Sequence, residues 1–325
     1  FTVGAQPVRW GTGRLWNPTD VLNRNRLNPL TPVDFRTGVP MARVRFPIEA
    51  IGGSLELLGD VADAQTLGDL GAAARLQLVA GPTEWSLSAR YRRNLPLMLG
   101  VDGSAGVGPF DLYAEAALTH GGHPTRWTGS YRLPTDAAIA AGPAEALGEL
   151  ALPQGEDRDD DWIPQVVVGL EYPIQYSEED SLIVGVEYFH NDAGYADASL
   201  YPWLLQSGDF QPFYLGRHSV AAFVVLMAPG SWNDTTFVLN ALANLSDETG
   251  IARLNVSHAI HRHLFLEPYI AVPFGPRGGE YRFTYTLTDA QAGWLGDFGQ
   301  PLPFEGGLVI PAPVLQAGLW LRVML

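Results

Sequence analysis

The chain of 325 residues contains no cysteine and no lysine, so all 20 of its basic residues are arginine. The absence of cysteine excludes disulfides and thiolate metal sites, and it suits an exported protein that does without bridges. Acidic residues number 35, and the formal net charge is −15. A nucleic-acid binder needs a basic surface to replace phosphate counterions, so this charge excludes that class of partner.

Long apolar runs are also absent. No stretch of about 18 uninterrupted apolar residues occurs, which excludes a transmembrane helix. Membrane-spanning strands need only about 9–11 residues each and are not excluded. The 36 glycines and 25 prolines are too many for a helical protein, and 46% hydrophobic residues are too many for a disordered one.

Alternation with a period of two residues is the main pattern in the chain. In EWSLSARYRR (84–93), for example, Trp85 and Leu87 share one face, and Ser86 and Ser88 share the other. Such alternation predicts strands with one apolar and one polar face. It recurs in about fourteen segments: 1–10, 40–48, 51–60, 72–80, 84–93, 95–104, 109–118, 163–172, 181–191, 217–228, 233–245, 250–258, 263–273 and 313–325.

The connections between these strands divide into two kinds. Every long one follows an odd-numbered strand, at about 11–39, 119–162, 192–216 and 274–312, whereas those after even-numbered strands are short. Barrels of bacterial outer membranes have short turns at one end and long external loops at the other. A soluble β-sandwich shows the same alternation but has no reason to gather its long loops at one end. We therefore predict one all-β domain over 1–325, a closed antiparallel transmembrane β-barrel of about 14 strands in the bacterial outer membrane.

Two short stretches resemble those of known barrel proteins. The last residues, LQAGLWLRVML (315–325), resemble the C-terminal signal by which Gram-negative outer-membrane barrels are recognised for assembly, with Leu325 where that family usually has Phe. The pattern GxxxxxWGxGxxWNPTD, from Gly4 to Asp20, resembles a first-strand element of proteobacterial porin-like families. The resemblance implies contact with outer-membrane lipid and lipopolysaccharide, with the barrel-assembly machinery and with other envelope proteins.

The opening pattern also predicts a short helix. Asn17 suits the N-cap, Pro18 the first helical position, and Asp20 the first turn, where a carboxylate meets free amides. This helix would lie in the first external loop, either folded into the barrel mouth or packed outward over the rim. If it narrows the mouth, the candidate constriction residues are Arg14, Trp16, Asn17, Asp20 and Arg24.

Charged residues on the polar faces are the candidates for lining a pore. They divide into a basic wall and, across the barrel, an acidic wall: Arg43, Arg45, Arg75, Arg90, Arg92 and Arg322 against Asp111, Glu115, Glu171 and Glu187. Such charge segregation would create a transverse field that sets ion selectivity. The alternative is a network of ion pairs that neutralises the lumen.

The expected function is therefore the passage of small solutes through a charge-segregated lumen. Two alternatives stay open: a non-conducting barrel that anchors or sleeves a larger envelope complex, and a plugged transporter of hydrophobic compounds. No nucleophile motif stands out, and we expect no enzymatic activity and no cofactor. The acidic loop at 156–161 and the histidines at 258–263 lack convincing metal-site patterns, so no metal is expected either.

Overall fold

The computed structural model describes residues 1–325 except 24–25, 32–37, 63, 94, 179, 298–305 and 325. It is built around a single sheet of fourteen strands. These are β1 (Thr2–Gln6), β2 (Val39–Ile48), β3 (Gly53–Asp60), β4 (Gly71–Ala80), β5 (Thr83–Tyr91), β6 (Leu97–Val107), β7 (Phe110–His120), β8 (Trp162–Gln175), β9 (Ser181–Asn191), β10 (His218–Met227), β11 (Thr235–Asn244), β12 (Thr249–His261), β13 (Leu264–Phe274) and β14 (Gln316–Val323).

Each strand pairs antiparallel with the next one along the chain, so the order in the sheet is the order in the sequence. This confirms the prediction of about fourteen antiparallel strands. The first strand is shorter than predicted, because it ends at Gln6 instead of residue 10. Pro7 has no backbone N–H to continue the ladder, and Val8 and Trp10 beyond it are buried against the sheet.

The turns after even-numbered strands are tight. The connections 81–82 and 108–109 are both Gly-Pro, and Gly81 and Gly108 each have a φ of 60°. Glycine in this left-handed region at the first turn position is the pattern of the type II′ hairpin. Proline at the second position cannot extend the strand pairing, so these two turns fix the register of their hairpins.

The long connections contain the helices. Residues 121–161 hold α1 (Asp136–Ala141) and α2 (Pro143–Glu149), residues 192–217 hold α3 (Tyr201–Ser207), and residues 275–315 hold α4 (Asp289–Asp297). Short ribbons join Arg126–Thr128 to Gln154–Glu156 and Tyr285–Leu287 to Leu308–Ile310. Single 3-10 turns occur at Glu49–Ile51, Leu67–Asp69 and Glu280–Arg282.

The three connections pack together at one end of the sheet. The hydroxyl of Tyr285 contacts Tyr131 and Gln206, which belong to the other two loops. None of the helices in the described ranges is both long enough and apolar enough to cross a membrane.

The sheet has an inverted distribution of polarity. Side chains of Asp102, Glu115 and Glu187 on one face are each only 2% exposed. On the opposite face Leu87 is 53% and Leu321 is 62% exposed. A soluble sandwich buries its apolar face, so this sheet is the reverse of that arrangement.

The polar face is covered by residues 7–23 and 26–31, which we call the inner segment. Val8, Trp10 and Leu22 pack against one part of the sheet, in a cluster that includes Met41, Leu58, Ala73, Met98 and Ala117. Leu15, Trp16 and Leu30 pack against another part, in a cluster that includes Tyr113, Phe189, Leu242, Ile251 and Ala271. One segment of chain therefore contacts the same face of the sheet from β2 to β13.

Candidate functional site

Two buried carboxylates of the sheet bind the backbone of the inner segment. Glu115 of β7 accepts hydrogen bonds from the amides of Thr12 (2.9 Å), Gly13 (3.1 Å) and Thr19 (2.7 Å). It also accepts one from the hydroxyl of Thr19, at 2.8 Å. Hydrogen bonds to an ionised acceptor are the strong ones, so Glu115 fixes both ends of this turn.

Glu187 of β9 binds the residues between those contacts. The amides of Arg14 (2.7 Å), Leu15 (3.1 Å) and Trp16 (2.8 Å) all donate to its carboxylate, and the Tyr113 hydroxyl donates at 2.9 Å. Consecutive amides that converge on one anion form the concave arrangement known as a nest. Here the anion is a side chain of the protein itself.

Glycine is required twice in this turn. A Cβ on Gly11 would lie 2.2 Å from the Glu115 carboxylate, and one on Gly13 would lie 1.9 Å from the carbonyl oxygen of Trp16. Neither contact is possible for real atoms. Residues 11 and 13 must therefore be glycine, because the backbone of this turn closes tightly around the Glu115 carboxylate.

The predicted helix at Asn17 does not form, and that prediction was wrong. Residues 17–20 make a turn in which the Asp20 amide donates to the Asn17 carbonyl at 3.2 Å. The Asn17 side chain donates to the Gly13 carbonyl at 3.0 Å instead of capping a helix. The Thr19 amide, which is one of the donors that an N-cap side chain would satisfy, donates to Glu115 instead.

The constriction candidates that the structure describes, Arg14, Trp16, Asn17 and Asp20, lie on the polar face of the sheet. Trp16 is fully buried and stacks on Phe189, with ring centroids 5.5 Å apart. Arg14 makes a bidentate ion pair with Glu171, at 2.7 and 2.9 Å. Asp20 is buried and accepts a hydrogen bond from Asn23 at 2.7 Å. Arg24 lies outside the described residues.

Three residues proposed for the acidic wall are thus engaged by the inner segment. Glu115 and Glu187 are buried beneath it, and Glu171 is paired with Arg14. Asp111, at the turn end of β7, is exposed. Two of the four carboxylates of the predicted acidic wall therefore bind backbone amides, and a third binds an arginine side chain.

Most residues of the proposed basic wall are paired with carboxylates on nearby strands. The ion pairs are Arg43 with Glu56, Arg75 with Asp102 (3.1 Å), Arg92 with Asp60 (2.9 Å) and Arg322 with Glu267 (2.8 Å). Sequence analysis missed Asp60, Asp102 and Glu267. The period-two pattern puts all three on the polar faces of their strands. Only the pairing register of the strands, which the sequence does not reveal, brings each one beside its arginine.

Two further arginines of that wall bind neutral groups. Arg90 donates to the carbonyls of Val21 and Pro96, both at 3.2 Å. Arg45 donates from Nε to the Ser54 hydroxyl at 3.2 Å. Neither has a carboxylate partner among the described residues.

The inner segment leaves a cavity beside β2, β3 and β4, which we call the arginine chamber. It has a volume of about 220 Å³ and is lined by residues 7–10 together with Arg43, Arg45, Ser54, Glu56, Arg75 and Gln77. Four of the lining residues are arginines, counting Arg9, and the single carboxylate among them is Glu56. The chamber is therefore a basic compartment of the polar face.

No metal site accompanies it in the described part of the chain, where no group of three or more histidine, aspartate or glutamate side chains is arranged to hold an ion. No protein-family model matches the sequence, and no curated protein is significantly similar to it.

Proposed function

We propose that this protein is a closed β-barrel of a bacterial outer membrane that passes small anionic solutes along the arginine side of its lumen. The observation that carries the proposal is the arginine chamber, which lies on the buried polar face of a sheet whose apolar face is exposed.

Closure of the sheet is supported by the contacts of the inner segment. The Pro29 carbonyl accepts from Asn240 of β11, and the Leu30 carbonyl accepts from Asn255 of β12, both at 3.1 Å. Val8, twenty-odd residues earlier, packs in a cluster with Met41 of β2 and Leu58 of β3. A segment this short reaches strands so far apart in the sheet order when the sheet curls around it, which brings β14 towards β1.

A membrane location is supported by the exposed apolar face and by its aromatic residues. Near the long loops this face carries Trp162, which stacks on His120 with ring centroids 4.6 Å apart. Near the short turns it carries Trp85, and Phe110 packs there against Tyr172 at 5.2 Å. Two aromatic bands that flank an apolar surface are typical of a barrel at both membrane interfaces.

The proposed preference for anions is supported by which charged side chains on the polar face stay accessible. Glu115 and Glu187 are covered by the inner segment, and Glu171 is neutralised by Arg14. On the other side Arg9 and Arg45 remain exposed on the chamber, without carboxylate partners among the described residues. Of the four acidic-wall residues only Asp111, at the turn end of β7, stays exposed. A polar face on which arginines stay accessible and most carboxylates do not favours the entry of anions.

The test is single-channel recording in a planar bilayer under a salt gradient. Wild type should give ohmic steps with a reversal potential on the anion side. The double substitution Arg9→Gln/Arg45→Gln should shift the reversal potential towards cations. Arg262→Gln, in the exposed turn between β12 and β13, is the matched control and should leave it unchanged. An unchanged reversal potential in the double variant would contradict anion selection by the chamber.

A non-conducting barrel is the second candidate, and the anchoring of the inner segment favours it. Seven hydrogen bonds to two carboxylates hold that segment against the sheet. Such a barrel would serve as the anchor of an envelope complex or, if a ligand displaced the segment, as a plugged transporter of hydrophobic compounds. A silent bilayer would favour this candidate, provided that heat-modifiable gel mobility confirms folding.

A further inference from the structure

Two residues that line the arginine chamber have buried nitrogen atoms without a hydrogen-bond partner among the described residues. Trp10 is 2% exposed, and its indole Nε1 has no partner among the described residues. The Nε of Arg75 is likewise buried without a partner in that part of the chain. Neither nitrogen is accessible from the chamber, so the donors that a ligand would meet there are those of the exposed arginines Arg9 and Arg45.

The chamber also carries excess positive charge. Arg43 is neutralised by Glu56 and Arg75 by Asp102. Arg9 donates to the carbonyls of Gly13 and Arg14, and Arg45 donates to Ser54, so the charges of Arg9 and Arg45 are not cancelled by these contacts. Both are exposed, whereas Trp10 behind them is buried.

We infer that the arginine chamber is a binding site for a small oxyanion, a carboxylate or phosphate group, held by the guanidinium groups of Arg9 and Arg45. Guanidinium groups recognise both anions with paired N–H donors. This deepens the proposed function, on which it rests, by naming the class of solute.

The size of the chamber limits the ligand. Its volume of about 220 Å³ lies below the roughly 300–1,000 Å³ of sites for drug-sized molecules. A phosphate ion or a short-chain carboxylate fits such a space, and a nucleotide does not. The mixed lining of arginine, serine and glutamine side chains also suits a hydrated ion better than an apolar compound.

The test is isothermal titration calorimetry of the full chain in detergent micelles, with inorganic phosphate and, in a separate series, with succinate. Wild type should bind at least one of the two. Arg45→Gln and Arg9→Gln should each weaken binding about tenfold or more, because each removes a charged donor pair.

Arg262→Gln is the control for a general loss of positive charge, and it should bind like wild type. Heat-modifiable gel mobility establishes that each variant is folded. Failure of wild type to bind either anion, or equal binding by wild type, Arg9→Gln and Arg45→Gln, would overturn the inference.

The proposed function is tested separately by the bilayer recordings. Binding in micelles by a protein that gives no current would uphold the oxyanion site and remove the pore. Current from a protein that binds neither anion would overturn the site and leave the pore standing.

Discussion

Glu115 and Glu187 illustrate how this protein uses charge at the scale of single residues. Each is buried on the polar face and accepts four hydrogen bonds, three of them from backbone amides of residues 12–19. An irregular segment packed against a sheet cannot satisfy its amides by secondary structure, and unpaired buried amides are costly. The two carboxylates supply the missing acceptors.

We expect Glu115→Gln to destabilise the protein by about 2–4 kcal/mol, since the amide group replaces a strong acceptor with a weaker one and turns an N–H towards other donors. The measurement is urea unfolding in lipid vesicles, followed by tryptophan fluorescence. Glu145→Gln, an exposed residue of α2, is the matched control and should behave as wild type. A Glu115→Gln variant as stable as wild type would show that the amides find other acceptors.

Another buried acidic residue, Glu280, lies among the long loops. Glu280 is buried, and its carboxylate accepts a hydrogen bond from Asn244 at 2.9 Å and another from the Phe213 amide. The Glu280 amide donates to Asp247 at 2.7 Å. Burial raises the pKa of the Glu280 carboxyl from 4.5 to about 8, and the nearby negative charge of Asp247 acts in the same direction.

This pKa predicts that the loop cluster is more stable in acid. Because the folded pKa lies above the unfolded one, the stabilising contribution is fully present below about pH 4.5 and is lost as pH rises through about 8. Thermal unfolding should therefore occur at a higher temperature at pH 5 than at pH 9. Glu280→Gln should reduce this dependence, with Glu145→Gln as control; an unchanged pH profile in Glu280→Gln would contradict the assignment.

At the scale of elements, the strands were predictable and the inner segment was not. Period-two alternation indicates that each strand has one buried and one exposed face. The pattern identifies the strand equally well whether the buried face is polar or apolar. The helix expected at Asn17 failed because a local capping pattern competes with partners far away in sequence. Glu115 lies 96 residues from Thr19 and takes its amide.

The inner segment is held by packing as well as by hydrogen bonds. Trp16 is fully buried, stacks on Phe189, and donates from its indole nitrogen to the Phe213 carbonyl at 2.9 Å. We expect Trp16→Ala to cost about 3–5 kcal/mol of unfolding free energy, because it leaves a large cavity. Urea unfolding in vesicles measures this, and Trp232→Ala, at a site 58% exposed, is the control. Equal stability of the two variants would mean that the segment is not part of the folded core.

At the scale of the whole molecule, the proposed barrel requires β14 to lie beside β1. The chain has no cysteine, so pairs can be introduced without background. Val3 and Ala42 are register partners of β1 and β2, and their double cysteine variant is the positive control. We expect Val3→Cys combined with Leu319→Cys or Leu321→Cys, on the exposed face of β14, to cross-link with a short dimaleimide in the folded state.

Val3→Cys combined with Leu239→Cys, on the exposed face of β11, is the negative control for this series. Mobility on a non-reducing gel identifies the intramolecular product. If the β1–β2 pair cross-links and both β1–β14 pairs do not, the sheet is open and the barrel proposal fails.

The sequence by itself determined the strands, their number and the division into short turns and long loops, because alternation and turn residues act locally. It also placed the charged side chains on the polar faces. Only the tertiary structure decided what those charges do. Arg75 meets Asp102 through the register of three strands, and Glu115 and Glu187 meet amides of a segment about a hundred residues away or more. Such partners are fixed by packing over the whole sheet, which no local pattern records.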